Sequence, residues 1–307
     1  MKCRWRILGA IAVGFALCAS QGTTSAAQDN QAAYTQPAEN LIIIVADIQR
    51  HLNDDVYRFP YPRDVNGQNI FRSTIVQLSN YEKLYPGRNS DVVNLARAQA
   101  FERLCAFQEA GLNYEKALKT SDDSLKKLAQ QGFDRCKEFS EIVNRDLDQS
   151  SLRAYEDALK QQITDLGKLS DKYASGPYGC LGRLERERAQ MKLAEFYSMF
   201  RFMKPYTTEM ALDQIKKNLQ ANNDSKLRYT HHLMLASLNY ELAREYTVLH
   251  DPEGPDFSYK DFEQFAKAAR AELAIVEQAD GFAEKQEGRA LLTALEAFIE
   301  RIRDLAQ

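Results

Sequence analysis

Four histidines, five cysteines and a large number of carboxylates are the residues of this 307-residue chain that could do chemistry. The histidines are His51, His231, His232 and His250. No His-Glu-x-x-His pattern occurs, and His231 and His232, as helix neighbours, point about 100° apart. A zinc site needs three or four converging ligands, which this arrangement does not offer. Nucleophilic catalysis is no better served: Gly-x-Ser-x-Gly is missing, and no cysteine carries a flanking protease signature. Cys180, with Arg183 and Arg186 just after it, has surroundings that can lower a thiol pKa, but a structural thiol is the simpler expectation. Gly176 to Gly182 lacks the Lys-Ser/Thr of a phosphate loop and follows no strand. The acids of Asp251 to Asp256 lack the spacing of a Ca²⁺ loop and read as a solvated turn. The expectation is a non-enzyme with no metal and no cofactor.

Recognition is the other chemistry available. Arg97, Arg103, Lys127, Arg135 and Lys137 fall on two helical stretches, Asp91 to Phe107 and Ser124 to Val143, and could line a groove that contacts a protein segment. Phe196, Tyr197, Phe200, Phe202 and Tyr206, with Met199, Met203 and Arg201 among them, have the composition of an interface core. They cover more than one helix face, so they either fill a helix sandwich or offer rings for stacking on sugars. Tyr57-Arg58-Phe59-Pro60-Tyr61 reads as a capping loop or a clasp for a partner.

The first 27 residues look like an export signal. Lys2, Arg4 and Arg6 precede an apolar run from Ile7 to Leu17, and small residues follow, with cleavage expected near Ala26 or Ala27. The run is shorter than the ~20 residues that cross a bilayer. Cys18 raises the possibility of lipidation, but Leu17 before it is a poor fit to a lipidation box. Forty Lys+Arg against 43 Asp+Glu give a formal net charge of −3, and loss of the leader would deepen the acidic balance. Nucleic acid and anionic membrane surfaces are therefore poor partners. Cys105, Cys136 and Cys180 would remain, an odd number that leaves at least one thiol free or bridging between molecules. Cys105 and Cys136 stand on what should be neighbouring parallel helices. Free buried thiols are expected there, with a disulfide as the alternative.

These side chains are positioned by helices almost throughout. Leu41, Ile44, Val45, Ile48 and Leu52 make a three-and-four stripe, and Ile70 to Tyr85 repeats the pattern before Pro86-Gly87 ends it. Asn89-Ser90-Asp91, Ser121-Asp122-Asp123 and Ser150-Ser151 are N-cap signals. The glycine-rich run from Tyr173 to Gly182 suggests a seam between two helical layers or subdomains. Leu184 to Met203, Thr207 to Leu219, Lys226 to Leu249, Tyr259 to Gln278 and Ala283 to Leu305 complete about eleven helices, and no stretch alternates as a strand would.

Asn80-Tyr81-Glu82-Lys83 recurs as Asn113-Tyr114-Glu115-Lys116, a period near that of a helical-hairpin repeat. Ala98, Phe101, Ala110, Tyr114 and Ala117 are spaced as in tetratricopeptide repeats, where small residues let helices approach and aromatics fill the gaps. The segment from Tyr81 to Leu118 resembles exported bacterial helical-repeat proteins of that superfamily. It departs from them where Asp122 replaces the expected proline and Asn94, Arg97 and Ala98 occupy the usual Trp and Leu-Gly positions. Tyr155-Glu156-Asp157-Ala158-Leu159 looks like a further copy, whereas the spacing of Tyr197 and Tyr240 is taken as coincidence. The resemblance implies an all-α fold, a right-handed stack of antiparallel helical hairpins. The divisions expected are 1–27 signal, 28–67 N-terminal segment and first helix, 68–175 repeats and 176–307 C-terminal helical region. The function implied is a periplasmic scaffold or adaptor with a protein partner in the cell envelope; the alternative is a periplasmic solute- or glycan-binding protein using the aromatic cluster.

Overall fold

Because apolar residues recur three and four apart through most of the sequence, each segment gains a buried stripe only by coiling and packing on a neighbour. A computed structural model describes residues 37–52, 68–280 and 283–306, and these form eleven helices with no strand among them. The helices are α1 (Pro37–Leu52), α2 (Asn69–Leu84), α3 (Ser90–Arg103), α4 (Phe107–Ala117), α5 (Asp123–Val143) and α6 (Leu152–Lys172), then α7 (Gly179–Phe200), α8 (Thr208–Ala221), α9 (Arg228–Leu249), α10 (Tyr259–Val276) and α11 (Ala283–Leu305). The expected leader with its cleavage site, Cys18 and the Tyr57–Tyr61 stretch lie outside the described residues. Residues 36–307 cluster as one compact unit.

Local chemistry sets the helix starts. Asp122 Oδ1 accepts from the Ser124 and Leu125 amides at 2.8 and 2.9 Å, and Ser151, Thr207 and Ser258 cap α6, α8 and α10 likewise. Each such cap contributes about 1 kcal/mol by satisfying an amide that the helix cannot. Asn89 does otherwise. It adopts a left-handed conformation at φ 50°, which asparagine tolerates, and its amide donates to the Tyr81 hydroxyl at 3.0 Å instead of capping α3.

Consecutive helices pack antiparallel where side chains pair at both ends. Phe107 stacks on Phe139 with centroids 4.7 Å apart, while Tyr114, further along α4, covers Gly132, earlier on α5. A Cβ on Gly132 would lie 2.2 Å from the Tyr114 ring, so only glycine permits this crossing. In α10 and α11, Arg270 pairs with Glu296 at 2.7 Å and Glu277 with Arg289 at 3.3 Å, again in opposite chain directions. Helices α7 and α9 run parallel: Glu187 to His231 and Arg201, just past α7, to Glu245 join them, each across 44 residues.

The Tyr173–Gly182 run is the turn of a close α6–α7 pair. Helix α7 begins inside it, at Gly179, and Gly182 lets it lie close on α6: a Cβ there would sit 2.7 Å from the Ser170 backbone. The two tyrosines of the recurring tetrapeptide occupy matching places near the C-terminal ends of α2 and α4, both buried. Tyr155 is not a third copy: it sits in the first turn of α6, half-buried. Tyr197 and Tyr240, whose spacing looked fortuitous, stand on the parallel neighbours α7 and α9.

Candidate protein-binding groove

Three of the five basic residues expected to line a groove are already engaged by the fold. Arg97 of α3 meets Glu82 of α2 at 2.5 Å. Arg103, buried, donates to the Pro177 carbonyl at 2.9 Å and reaches Cys180 Sγ at 3.2 Å. Arg135, also buried, holds both oxygens of Glu102 and lies 3.4 Å above the Tyr178 ring. Burial by itself lowers the Arg135 pKa, but the Glu102 hydrogen bonds and charge outweigh it and raise the pKa above its ordinary value. Arg103 and Arg135 are thus brought together beneath the α6–α7 turn as internal props, which corrects their assignment as partner contacts. Lys127 and Lys137 alone of the five are exposed to solvent.

The same neighbourhood quiets the cysteines. Cys105, Cys136 and Cys180 are all free thiols. Burial pushes the Cys105 and Cys136 thiols far up, with Glu185 and Glu102 respectively adding to the effect. Neither is a nucleophile near neutral pH, because the thiolate is the reactive form.

The aromatic cluster divides into an inside and an outside. Phe196, Tyr197 and Tyr206 are each 4% exposed, and Phe196 meets Tyr206 edge-on at 5.1 Å. Both tyrosine hydroxyls donate to Glu156, Tyr197 at 2.7 Å and Tyr206 at 2.9 Å. Burial raises the Glu156 pKa, but donors from Lys160 and the two tyrosines more than offset it and leave the carboxyl below its ordinary value. The Tyr206 hydroxyl is pushed up to about 12 by burial and then by Glu156. These three rings have no face left for a sugar, and Phe200 is half-buried. Phe202 is 71% exposed, with the Arg201 guanidinium 4.4 Å from its centroid, and Met199 and Met203 beside it are also exposed.

A groove that the basic and aromatic patterns do not reveal lies on the same helices. It encloses about 360 Å³ and is lined from α7, α8, α9 and α11. Ile215, Leu233, Met234 and Leu238 form its apolar floor, with Ser198, Ser237 and Thr230 as hydroxyls among them. Glu195, Glu241 and Glu287 supply its charge, one each from α7, α9 and α11. Among the described residues no cation pairs with Glu195 or Glu287, while Glu241 shares Arg201, at 3.4 Å, with Glu245. Arg201 thereby joins the groove to the Phe202 patch. The three glutamates are equally spaced along the chain, a signal present in the sequence. It acquires meaning only once α7, α9 and α11 are known to lie side by side.

No helix among the described residues is long and apolar enough to cross a membrane. Compared with known protein families, with curated proteins and with solved structures, the chain matches none.

Proposed function

We propose that the chain is a non-catalytic helical-repeat protein of the cell envelope that binds a protein partner as a scaffold or adaptor. The observation that carries this reading is the open groove across α7, α9 and α11, apolar in its floor and charged at its sides. Interface cores combine those features, with apolar centres ringed by polar groups. The paired placement of Tyr81 and Tyr114 in α2 and α4 supports a hairpin repeat of tetratricopeptide type, stacked with a right-handed turn. In addition, α1 and α3, α3 and α5, and α9 and α11 touch directly, while no pair of even-numbered helices packs to a similar extent. Closer approach along one layer is what curvature toward that layer produces, so these pairs favour a concave side lined by odd helices toward the two ends of the chain, while α7 approaches neither α5 nor α9 as closely. The basic and apolar pattern of residues 1–27 supports export to the periplasm.

A photoreactive benzoylphenylalanine placed at Ser198 or Ser237, followed by crosslinking in cells and purification from the envelope fraction, tests the reading. One reproducible protein adduct from the groove positions, missing when the probe sits at the exposed Glu115 of α4, is expected. Recovery of the chain alone from every position, or of glycan in place of protein, would remove the adaptor reading.

A further inference from the structure

The rim of the groove is acidic and its floor apolar, and that combination restricts what can lie in it. Glu195, Glu241 and Glu287 are all exposed, and no Lys or Arg lines the groove with them. Glu241 has a 3.4 Å share of Arg201, while Glu195 and Glu287 have no cation on them among the described residues, so the rim keeps an excess of negative charge that a further cation would relieve. The three carboxylates are spread as a rim and not gathered as a cage, since no three His, Cys, Asp or Glu side chains converge as a metal site among the described residues. The space between them is floored by Leu233, Met234 and Leu238; the two leucines are buried by the fold, so it is chiefly the half-buried Met234 that offers apolar surface to a ligand. The Ser237 hydroxyl also lines the groove and can accept from or donate to a passing backbone, while Ser198, whose proton goes to the Ala194 carbonyl at 2.9 Å, can only accept.

Resting on the protein-binding reading above, we propose that the groove takes a cationic amphipathic segment of the partner, with apolar side chains on its floor and Lys or Arg reaching the three glutamates. The alternatives fit the charge less well. Nucleic acid and acidic glycans meet carboxylates of their own sign. A second copy of this chain brings a net charge of −3 to an acidic rim. Arg201, which pairs with Glu241 of the rim and lies over the exposed Phe202 ring, links the groove to that ring as a second apolar contact.

The test uses the purified chain and a fluorescent amphipathic helical peptide of leucine and lysine, read by anisotropy, beside the same peptide with glutamate replacing lysine. The lysine peptide should bind, weakening as salt rises, and the glutamate peptide should not. The combined variant Glu195→Gln, Glu241→Gln and Glu287→Gln should weaken binding about tenfold or more, as loss of complementary interfacial charge does. A control with the same change in net charge, Glu115→Gln with Glu253→Gln and Asp256→Asn, alters exposed acids outside the groove. It should hold affinity within about twofold, because rim charges act locally. Ser237→Arg, which fills the groove with a bulky cation that occupies the glutamates and repels the lysine peptide, should abolish binding. Equal losses in the groove and control variants would mean that bulk charge alone attracts the peptide, and the proposal would fall. It would fall too if neither peptide bound while crosslinking from Ser237 still captured a protein, an outcome that leaves the adaptor reading intact.

Discussion

Arg135 of α5 and Glu102 of α3, 33 residues apart, form a two-pronged ion pair inside the protein: Nη2 donates to one carboxylate oxygen at 2.8 Å and Nε to the other. The Tyr114 hydroxyl donates to the same carboxylate at 2.6 Å, so one buried acid ties α3, α4 and α5 together. Glu156 does the same for α6, α7 and the turn that carries Tyr206, and Glu187 joins α7 to α9 through His231 at 2.8 Å and to Ser225 at 2.5 Å. Buried acids recur as fasteners between helices whose contacts are otherwise apolar.

The first prediction concerns that pair. Arg135→Met should cost about 3–5 kcal/mol, because it strands a buried carboxylate with only the Tyr114 hydroxyl and the weak Cys136 thiol donor to satisfy it. Adding Glu102→Leu should recover most of the loss, since an apolar pair of similar size needs no counter-charge. Urea unfolding of both variants measures this. A double variant less stable than the single one would show that the ion pair itself holds the helices in place.

A second prediction sets two glycines against each other. A Cβ on Gly132 would drive into the Tyr114 ring, whereas one on Gly111 meets nothing within 4 Å. Gly132→Ala should therefore destabilise the chain by about 1–3 kcal/mol through overpacking. Gly111→Ala, in the interior of α4, should stabilise it by about 0.5–1 kcal/mol through helix propensity. Effects of the same sign in thermal melts would refute the close α4–α5 crossing.

Alkali gives a third. Burial, followed by the charge of Glu102, pushes the Tyr178 hydroxyl up to about 12, and Tyr206 is raised to about 12 as well. An acid whose folded pKa lies above its unfolded value holds its proton longer in the native state, so stability is complete below pH 10 and is lost from there toward pH 12. Tyrosinate absorbance should accordingly rise in two stages. Exposed rings should titrate first, and the buried ones together with loss of helical circular dichroism. Full tyrosine ionisation with the helices intact would contradict the buried, acid-bonded hydroxyls.

The helices were legible because their evidence is local. Stripes such as Leu41, Ile44, Val45 and Ile48 repeat within one turn, and Asp122 or Ser151 mark a start by reaching two or three residues ahead. The start of α7 was misread because glycine is a breaker by intrinsic propensity, whereas Gly182 is there for the close approach to Ser170. The fates of the arginines were hidden for a different reason. Arg97, Arg103 and Arg135 look alike in their own helices, and what buries Arg135 is Glu102, which stands on another helix. The groove was hidden in the same way. Glu195, Glu241 and Glu287 are ordinary helical glutamates until the 44-residue register between α7 and α9 lines up their helices.

The aromatic cluster supplies a fourth prediction, because its two halves should answer differently to truncation. Phe196 is buried among Tyr155, Tyr197, Phe200 and Tyr206, with centroids 5.0 to 5.8 Å away. Removing its ring leaves a cavity that those neighbours can only partly close, so Phe196→Ala should cost about 3–5 kcal/mol. Phe202 keeps only the Arg201 guanidinium over its face. Phe202→Ser gives up a cation–π contact of about 0.5–1 kcal/mol at an exposed site and removes apolar surface from solvent, so its melting temperature should hardly move. Its effect should fall instead on whatever binds the groove and reaches that ring. A Phe202→Ser protein that unfolds as readily as Phe196→Ala would mean that the ring is buried in solution. The exposed patch beside Arg201 would then be no part of a binding surface.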